Sequence, residues 1–200
     1  MIKQTRTRWF FKGLFNVLFH IIYRFDVKGL ENIPEEGKAI LCPNHIHLVD
    51  SIALVIHLKR MIYIMVKKEL MSNKIGIWFW NKIGCFPVDR GKADVHALEV
   101  ANNHLNDGDL LLIFPEGTRN ALEKGKKMKK GAAMIAVQSK SPIIPVGMQG
   151  TFKPFSKIKI RFGKPIDLSE YFTKEELNPR DYIQITNKMQ DEIIKLRDGE

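Results

Sequence analysis

Residues 43–50, PNHIHLVD, contain a histidine and an aspartate whose types and spacing suit proton transfer. His45 and Asp50 flank a predicted strand-to-helix turn, across which the carboxylate can accept one imidazole N–H. Such a contact fixes the tautomer and makes the second ring nitrogen a better base toward a hydroxyl group. The same residues also fit a structural role at the start of the helix, with Asp50 as its N-cap and the histidine as a capping residue, and their spacing alone does not decide between these interpretations.

A second segment, FPEGTR at residues 114–119, has the composition of an anion site. Gly117 lets backbone amides approach a ligand, and the Arg119 guanidinium presents paired donors suited to phosphate. In a third segment, FPVDRG at residues 86–91, Arg90 follows a short predicted strand. The second segment is followed by lysines that fit a solvated loop or a patch for an anionic surface equally well: Lys124, Lys126, Lys127, Lys129 and Lys130.

The sequence offers no serine in a G-x-S-x-G turn, so a covalent acyl-serine route of that kind is not indicated. Cys42 and Cys85 lie in apolar surroundings, which predicts buried free thiols in a reducing compartment rather than a disulfide or a metal site. We therefore expect a substrate hydroxyl to attack directly, with His45 as its base.

The pattern around these segments predicts an α/β fold. The predicted strands are residues 39–42, 62–66, 85–88, 110–114, 143–148 and 158–162. The predicted helices begin near Asp50 and Asn178 or cover residues 75–80, 94–105 and 132–137. We expect a single α/β domain with a mixed, largely parallel sheet covered by helices on both faces. In such folds ligands bind beyond the carboxyl ends of the strands. The segments that contain His45, Arg90 and Arg119 each follow a predicted strand and therefore lie in this region.

Residues 9–25, WFFKGLFNVLFHIIYRF, predict an amphipathic helix rather than a signal peptide or a spanning segment. No small-residue cleavage site follows, and the apolar run is shorter than the roughly 20 residues that a bilayer requires. The pattern favours a helix lying in the bilayer interface, and a helix docked on the protein's own core is the alternative. A polar stripe recurs along this segment at Lys12, Asn16, His20 and Arg24.

The net charge indicates which class of binding partner to expect. Lysine and arginine number 32 against 22 aspartates and glutamates, a formal charge of +10. This excess favours anionic partners such as phosphate head groups, phosphorylated substrates or acidic proteins. Nucleic acid is not expected, because the sequence contains no nucleic-acid-binding motif. A non-catalytic, basic membrane-binding module is still compatible with the charge.

Four segments together resemble the motifs of the glycerolipid acyltransferase family, in the same order and spacing. They are NHIHLVD at 44–50, GCFPVDRG at 84–91, FPEGTR at 114–119 and PIIPVG at 142–147. Within the family, the resemblance is closest to the bacterial lysophosphatidic acid acyltransferases. We accordingly divide the chain into an N-terminal membrane-interface segment at residues 1–26 and an α/β acyltransferase domain at residues 27–200.

The resemblance implies an enzyme that transfers a fatty acyl group from an acyl thioester to the free sn-2 hydroxyl of 1-acylglycerol 3-phosphate. The product is phosphatidate for phospholipid synthesis, and neither a metal nor another cofactor is implied. His45 matches the general base, Asp50 its orienting partner, and Arg119 the group on the acceptor phosphate. The residues matching substrate-binding positions are Glu116, Gly117, Thr118, Arg119, Arg90, Lys67 and Pro145. The family commonly has serine or threonine where this chain has His47, so the role of His47 is open.

The expected acyl donor is acyl carrier protein, whose acidic surface suits a basic enzyme, with coenzyme A as the alternative. Membrane lipids are the other expected partners, and the expected location is the cytoplasmic face of the cell membrane, with peripheral attachment. Glycerol 3-phosphate or another lysophospholipid is the alternative acceptor. The sequence does not indicate an oligomeric state.

Overall fold

The computed structural model of the chain describes residues 6–89 and 94–199 and confirms the α/β class. The strands are β1 (Arg24–Lys28), β2 (Ala39–Pro43), β3 (Ile62–Lys67), β4 (Cys85–Val88), β5 (Leu110–Leu112), β6 (Ile143–Gln149) and β7 (Lys157–Phe162). The helices are α1 (Arg6–Ile22), α2 (Asp50–Val55), α3 (Lys74–Lys82), α4 (Val95–Asn106), α5 (Gly131–Gln138), α6 (Ser169–Phe172) and α7 (Pro179–Asp198).

The strands form one seven-stranded sheet in the order β1-β7-β6-β2-β5-β3-β4. Neighbouring strands are parallel except for β6 and β7, so the expected mixed, largely parallel sheet is confirmed. Strands β2 to β6 run in one direction, and the loops that follow them therefore emerge at one edge, which we call the carboxyl edge. Strands β7 and β1 run in the opposite direction and begin at this edge.

Apolar layers cover both faces of the sheet, as the sequence predicts. The layer on the α1 and α2 side includes Phe19 and Leu54, and Leu41 of β2 points into it. The layer on the side of α4, α5 and α7 includes Ile135, and Ile40 of β2 points into that one. Alternate residues of β2 are thus buried on opposite faces, which explains why this strand is apolar throughout.

Helix α7 begins at the predicted place and packs tightly on the sheet. The Asn178 side chain accepts the N–H groups of Arg180 and Asp181 and so caps the first turn. A Cβ atom on Gly147 of β6 would lie 2.3 Å from the backbone nitrogen of Arg197. Only glycine permits this approach, which lets α7 cover the central strands.

Strand β1 differs from the sequence-based expectation, which extended the first helix through Arg24. Helix α1 instead ends at Ile22, whose carbonyl accepts the Phe155 N–H at 2.6 Å, and Arg24 is the first residue of β1. The reason is long-range pairing, because β1 joins β7 in parallel register. Arg24 therefore does not belong to the polar stripe of the helix, and β1 continues across the predicted boundary at residue 26.

Helix α1 turns its polar stripe toward the protein. The Lys12 ammonium donates to the Leu58 carbonyl, and the Asn16 amide donates to the Ile56 carbonyl at 3.2 Å. Phe15 and Phe19 pack into the core layer beside α2. At these two side chains the helix is docked on the protein's own core, the alternative that the sequence left open.

The remaining apolar side of α1 is exposed. Its members are Trp9, Phe10, Leu14, Val17, Leu18 and Ile21. Among residues 6–89 and 94–199, no helix combines the length and apolar character needed to cross a membrane.

Candidate active site

The loop after β2, residues 43–50, brings His45 and Asp50 together at the carboxyl edge, and we call it the His45 loop. The His45 Nδ1 atom lies 2.8 Å from Asp50 Oδ2. The Asp50 side chain is fully buried, whereas that of His45 is 14% exposed. The same Oδ2 atom accepts the backbone N–H groups of Ile46 at 2.7 Å and His47 at 2.9 Å. Three donors on one oxygen hold the carboxylate and the imidazole in a fixed relative orientation.

The geometry excludes the interpretation of Asp50 as a helix cap. The N-cap residue of α2 is Val49, and no side chain caps that helix. Asp50 is the first residue of α2, and its carboxylate turns back onto the preceding loop instead of toward the helix. The two residues are therefore an oriented imidazole–carboxylate pair.

Asn44 fixes the start of the His45 loop to β6. Its side-chain amide donates to the Met148 carbonyl at 2.9 Å, and its Oδ1 accepts the Met148 N–H at 2.7 Å. The side chain thus takes the place of a peptide group in the sheet pairing. Asn44 is buried, so these bonds are shielded from water. Nothing in the sequence marks this role of Asn44, because its partner is 104 residues away.

Glu116 joins the His45 loop to the loop after β5. Its Oε1 accepts the backbone N–H of His45 at 2.7 Å, and its Oε2 accepts those of Ala121 at 2.5 Å and Leu122 at 2.9 Å. The side chain is 4% exposed. The Asn120 N–H also donates to the His45 carbonyl at 2.6 Å, so both loops are joined twice. The sequence predicts that Glu116 binds the acceptor; in the structure both carboxylate oxygens contact backbone amides.

The three residues after Glu116 form the exposed part of this loop. Gly117 has a φ of +69°, and a Cβ atom there would lie 2.8 Å from Lys129 Cε. The positive φ therefore favours glycine at this position, and the flexible end of the Lys129 side chain packs over it. Thr118 and Arg119 are exposed. Arg119 is followed by Asn120, whose N–H donates to the His45 carbonyl. Arg119 thus belongs to the same edge of the sheet as His45.

The other predicted binding residues have different positions. Lys67 is the exposed last residue of β3 at the carboxyl edge, 3.3 Å from Glu69 in an ion pair. Arg90 lies outside the described residues. Pro145 is buried in β6 beside Cys42 of β2, and its carbonyl accepts the Gly163 N–H at 2.9 Å. It is therefore an internal residue of the sheet, and its predicted contact with substrate is still a prediction.

His47 is separate from the imidazole–carboxylate pair. Its ring stacks on Phe152 with centroids 4.9 Å apart and an interplanar angle of 12°. Only its backbone N–H reaches the Asp50 carboxylate. The sequence alone leaves open which of the two imidazoles acts on the substrate. In the structure, the His45 ring contacts the Asp50 carboxylate and the His47 ring does not.

Phe114 is a further residue of the site. Its ring centroid lies 4.2 Å from that of His45. Phe114 also lines an apolar cavity of about 240 Å³ between α4 and α5. No sequence signal marks this contact, because it depends on the pairing of β2 with β5.

The two cysteines are buried free thiols, as predicted. Burial raises the pKa of the Cys42 thiol and raises that of Cys85 to about 12. Both are protonated at neutral pH, which makes them poor nucleophiles. Across the described parts of the chain, no three histidine, cysteine, aspartate or glutamate side chains are grouped as a metal site would require.

Residues 24–149 match the model of the Acyltransferase family. The 1-acyl-sn-glycerol-3-phosphate acyltransferase of Bacillus subtilis is 33% identical over 152 residues, which cover 72% of this chain and 75% of that protein. The Streptococcus pneumoniae protein of the same name is 33% identical over 138 residues, 66% of this chain and 50% of that protein.

A solved structure agrees with these matches. The crystal structure of the 1-acyl-sn-glycerophosphate (LPA) acyltransferase from Thermotoga maritima superposes with a TM-score of 0.63 and 26% identity, covering 94% of this chain and 78% of that one. The family match includes His45, Asp50 and the FPEGTR segment. The chain therefore belongs to the acyltransferase family and is an acyltransferase, as its four motifs predict.

Proposed function

We propose that this acyltransferase moves a fatty acyl group from an acyl thioester to the sn-2 hydroxyl of 1-acylglycerol 3-phosphate, which gives phosphatidate. The names of the bacterial relatives support this acceptor. The observation that carries the chemistry is the 2.8 Å contact between His45 Nδ1 and Asp50 Oδ2, in a loop fixed on both sides by Asn44 and Glu116.

His45 is the general base of the proposed reaction. Its Nδ1 donates to Asp50, so Nε2 takes the proton from the acceptor hydroxyl while the oxygen attacks the thioester carbonyl. The tetrahedral intermediate then loses the thiolate, and the imidazolium returns the proton to that sulfur. Asp50 stabilises the imidazolium between these two steps. Acyl transfer is thereby completed without a covalent enzyme intermediate.

Arg119 binds the phosphate of the acceptor. Its exposed guanidinium, on the loop joined to the His45 backbone, supports this role, and Lys67 adds a second cation at the same edge. From its position in the GCFPVDRG segment, we assign Arg90 to the same phosphate. A phosphate held in this way keeps the hydroxyl near His45, so that the reaction gains from proximity and orientation.

The acyl chain of the donor occupies the cavity of about 240 Å³ between α4 and α5. Phe114 lines this cavity, and its ring centroid is 4.2 Å from that of His45, which supports a position of the thioester end of a bound chain near the base. The lining is mainly apolar, and a hydrocarbon chain is stabilised by leaving water for such a cavity.

We place the reaction at the cytoplasmic face of the membrane, with acyl carrier protein preferred over coenzyme A as the donor carrier. The net charge of +10 supports an acidic carrier and anionic lipids. The exposed apolar side of α1 supports an interfacial position, since Lys12 and Asn16 on its other side bind protein carbonyls.

Thiol release from purified protein tests the proposal. Acyl carrier protein and coenzyme A thioesters are each combined with 1-acylglycerol 3-phosphate, glycerol 3-phosphate and a lysophospholipid lacking a terminal phosphate. We expect the highest kcat/KM with 1-acylglycerol 3-phosphate. Preference for either other acceptor would overturn the substrate assignment, and no thiol release with any combination would overturn the activity.

Substitution of the two histidines tests the mechanism. His45→Ala is expected to lower kcat by on the order of a thousandfold or more, because the base is removed. His47→Ala is the matched control and is expected to retain a measurable rate, since its ring packs on Phe152. Near-normal turnover by His45→Ala in the same assay would exclude it as the base.

A further inference from the structure

The loop between β6 and β7, residues 150–156, has an unusual backbone. Phe152 and Phe155 have φ angles of +51° and +63°. Positive φ is unfavourable for a bulky residue, so the surrounding structure must hold both in place. This loop follows β6, the neighbour of β2 in the sheet, and therefore lies next to the His45 loop.

Phe152 anchors the loop. Its side chain is buried, with the Tyr23 ring centroid at 5.7 Å and that of His47 at 4.9 Å. The backbone N–H of Phe155 adds a 2.6 Å bond to the Ile22 carbonyl at the end of α1. The loop is thus fastened to both α1 and the His45 loop.

Phe155, by contrast, is 71% exposed despite its constrained backbone. Ile21 of α1, next to the residue that binds the Phe155 N–H, is 66% exposed. Leu48, next to His47 in the His45 loop, is 62% exposed. Each of these three exposed side chains thus neighbours a contact that fastens the β6–β7 loop to α1 or to the His45 loop, and we call Ile21, Leu48 and Phe155 the apolar rim.

Charge around the rim indicates which kind of partner it fits. Lys153 lies between the two phenylalanines of the loop, and Arg24 begins the adjacent strand β1; both are exposed. Large apolar side chains beside cations match a bilayer interface with anionic head groups, where the apolar groups enter the acyl region and the cations contact phosphates.

We propose that the apolar rim inserts into an anionic lipid bilayer and so holds the opening of the active site against the membrane. This inference rests on the proposed function, whose acceptor is an amphiphile that resides in the bilayer. Insertion at this place brings His45 to the depth of the acceptor head group. The product leaves into the same lipid layer.

Vesicle binding in the absence of substrate tests the rim directly. The full chain and its variants are sedimented with vesicles of phosphatidylglycerol and phosphatidylcholine. Phe155→Ser and Ile21→Ser are each expected to weaken binding about tenfold, as for one apolar side chain withheld from lipid. Ile183→Ser, an exposed isoleucine on α7 at the opposite face of the sheet, is the matched control and should bind as wild type.

Phe155→Leu separates lipid insertion from folding, since it restores an apolar side chain and should restore most of the binding. Equal binding by wild type, Phe155→Ser and Ile21→Ser would overturn the proposal. So would dissociation of a dimer by Phe155→Ser in sedimentation velocity without vesicles, since the rim would then contact a second copy. Wild-type turnover on a water-soluble, short-chain acceptor tests the proposed function separately, because that reaction needs no vesicle.

Discussion

At the scale of single residues, Glu116 shows that membership of a binding motif does not fix the contacts of a side chain. The FPEGTR segment predicts a substrate contact for it, yet its carboxylate accepts three backbone N–H groups and is nearly inaccessible. One of these N–H groups belongs to His45 itself. The contacts therefore indicate a residue that positions the His45 backbone, whereas Arg119 in the same segment is exposed.

Glu116→Gln distinguishes the two roles. Glutamine replaces one acceptor oxygen with an NH2 group, which leaves at least one of the three amides without its partner and loosens the His45 loop. We expect kcat to fall by about tenfold to a hundredfold while the KM for 1-acylglycerol 3-phosphate changes little. Arg119→Gln is the comparison and should raise that KM instead. A rise in KM with unchanged kcat for Glu116→Gln would identify it as an acceptor ligand.

At the scale of elements, an ion-pair cluster adds to the backbone pairing of β1 with β7. Asp26 lies 3.0 Å from Arg161 Nη2 and 3.0 Å from Lys157 Nζ. Hydrogen bonds from Arg161 and then Lys157 lower the pKa of Asp26 from 3.8 to about 2. A carboxyl whose pKa is lower in the folded state stabilises the fold above its unfolded pKa, and this contribution disappears as the pH falls through the folded pKa.

The stability of Asp26→Asn should therefore depend on pH relative to wild type. At pH near 6 the variant is expected to unfold at lower urea concentration, and the difference should shrink between about pH 4 and pH 2 as the wild-type carboxyl becomes protonated. Urea titrations at several pH values measure this. Asp191→Asn on the exposed side of α7 is the control. A constant difference across the pH range would show that Asp26 acts through something other than its charge.

At the scale of the whole molecule, the net charge of +10 bears on the choice of donor. An acidic carrier protein responds to the field of the entire surface, and salt screens that field over about 10 Å at 0.1 M ionic strength. Coenzyme A is much smaller and samples only the charges next to its binding position. The two donors should therefore differ in their response to salt.

We expect kcat/KM with acyl carrier protein to fall several-fold between about 50 and 300 mM sodium chloride, mainly through slower association. The value with coenzyme A thioester should fall less. Parallel thiol-release measurements with both donors at each salt concentration provide the comparison. Equal salt responses, or a preference for coenzyme A throughout, would contradict recognition of an acidic carrier.

The sequence by itself determined the α/β class, most strands and the family. These features depend on short-range information: apolar runs define strands such as β2, the Asn178 cap marks the start of α7, and the His45 and Arg119 segments are contiguous motifs. Their physical basis is hydrophobic burial, capping and the chemistry of a few neighbouring side chains, all of which can be read within a few residues.

Only the tertiary structure decided which groups meet across the chain. Strand β1 exists because β7, far along the sequence, pairs with it, and α1 turns its polar stripe inward because carbonyls near α2 accept Lys12 and Asn16. The Glu116 bridge depends in the same way on a distant backbone N–H. A sequence pattern specifies what a residue can donate, accept or bury, but the partner is specified only when the sheet brings separate loops to one edge.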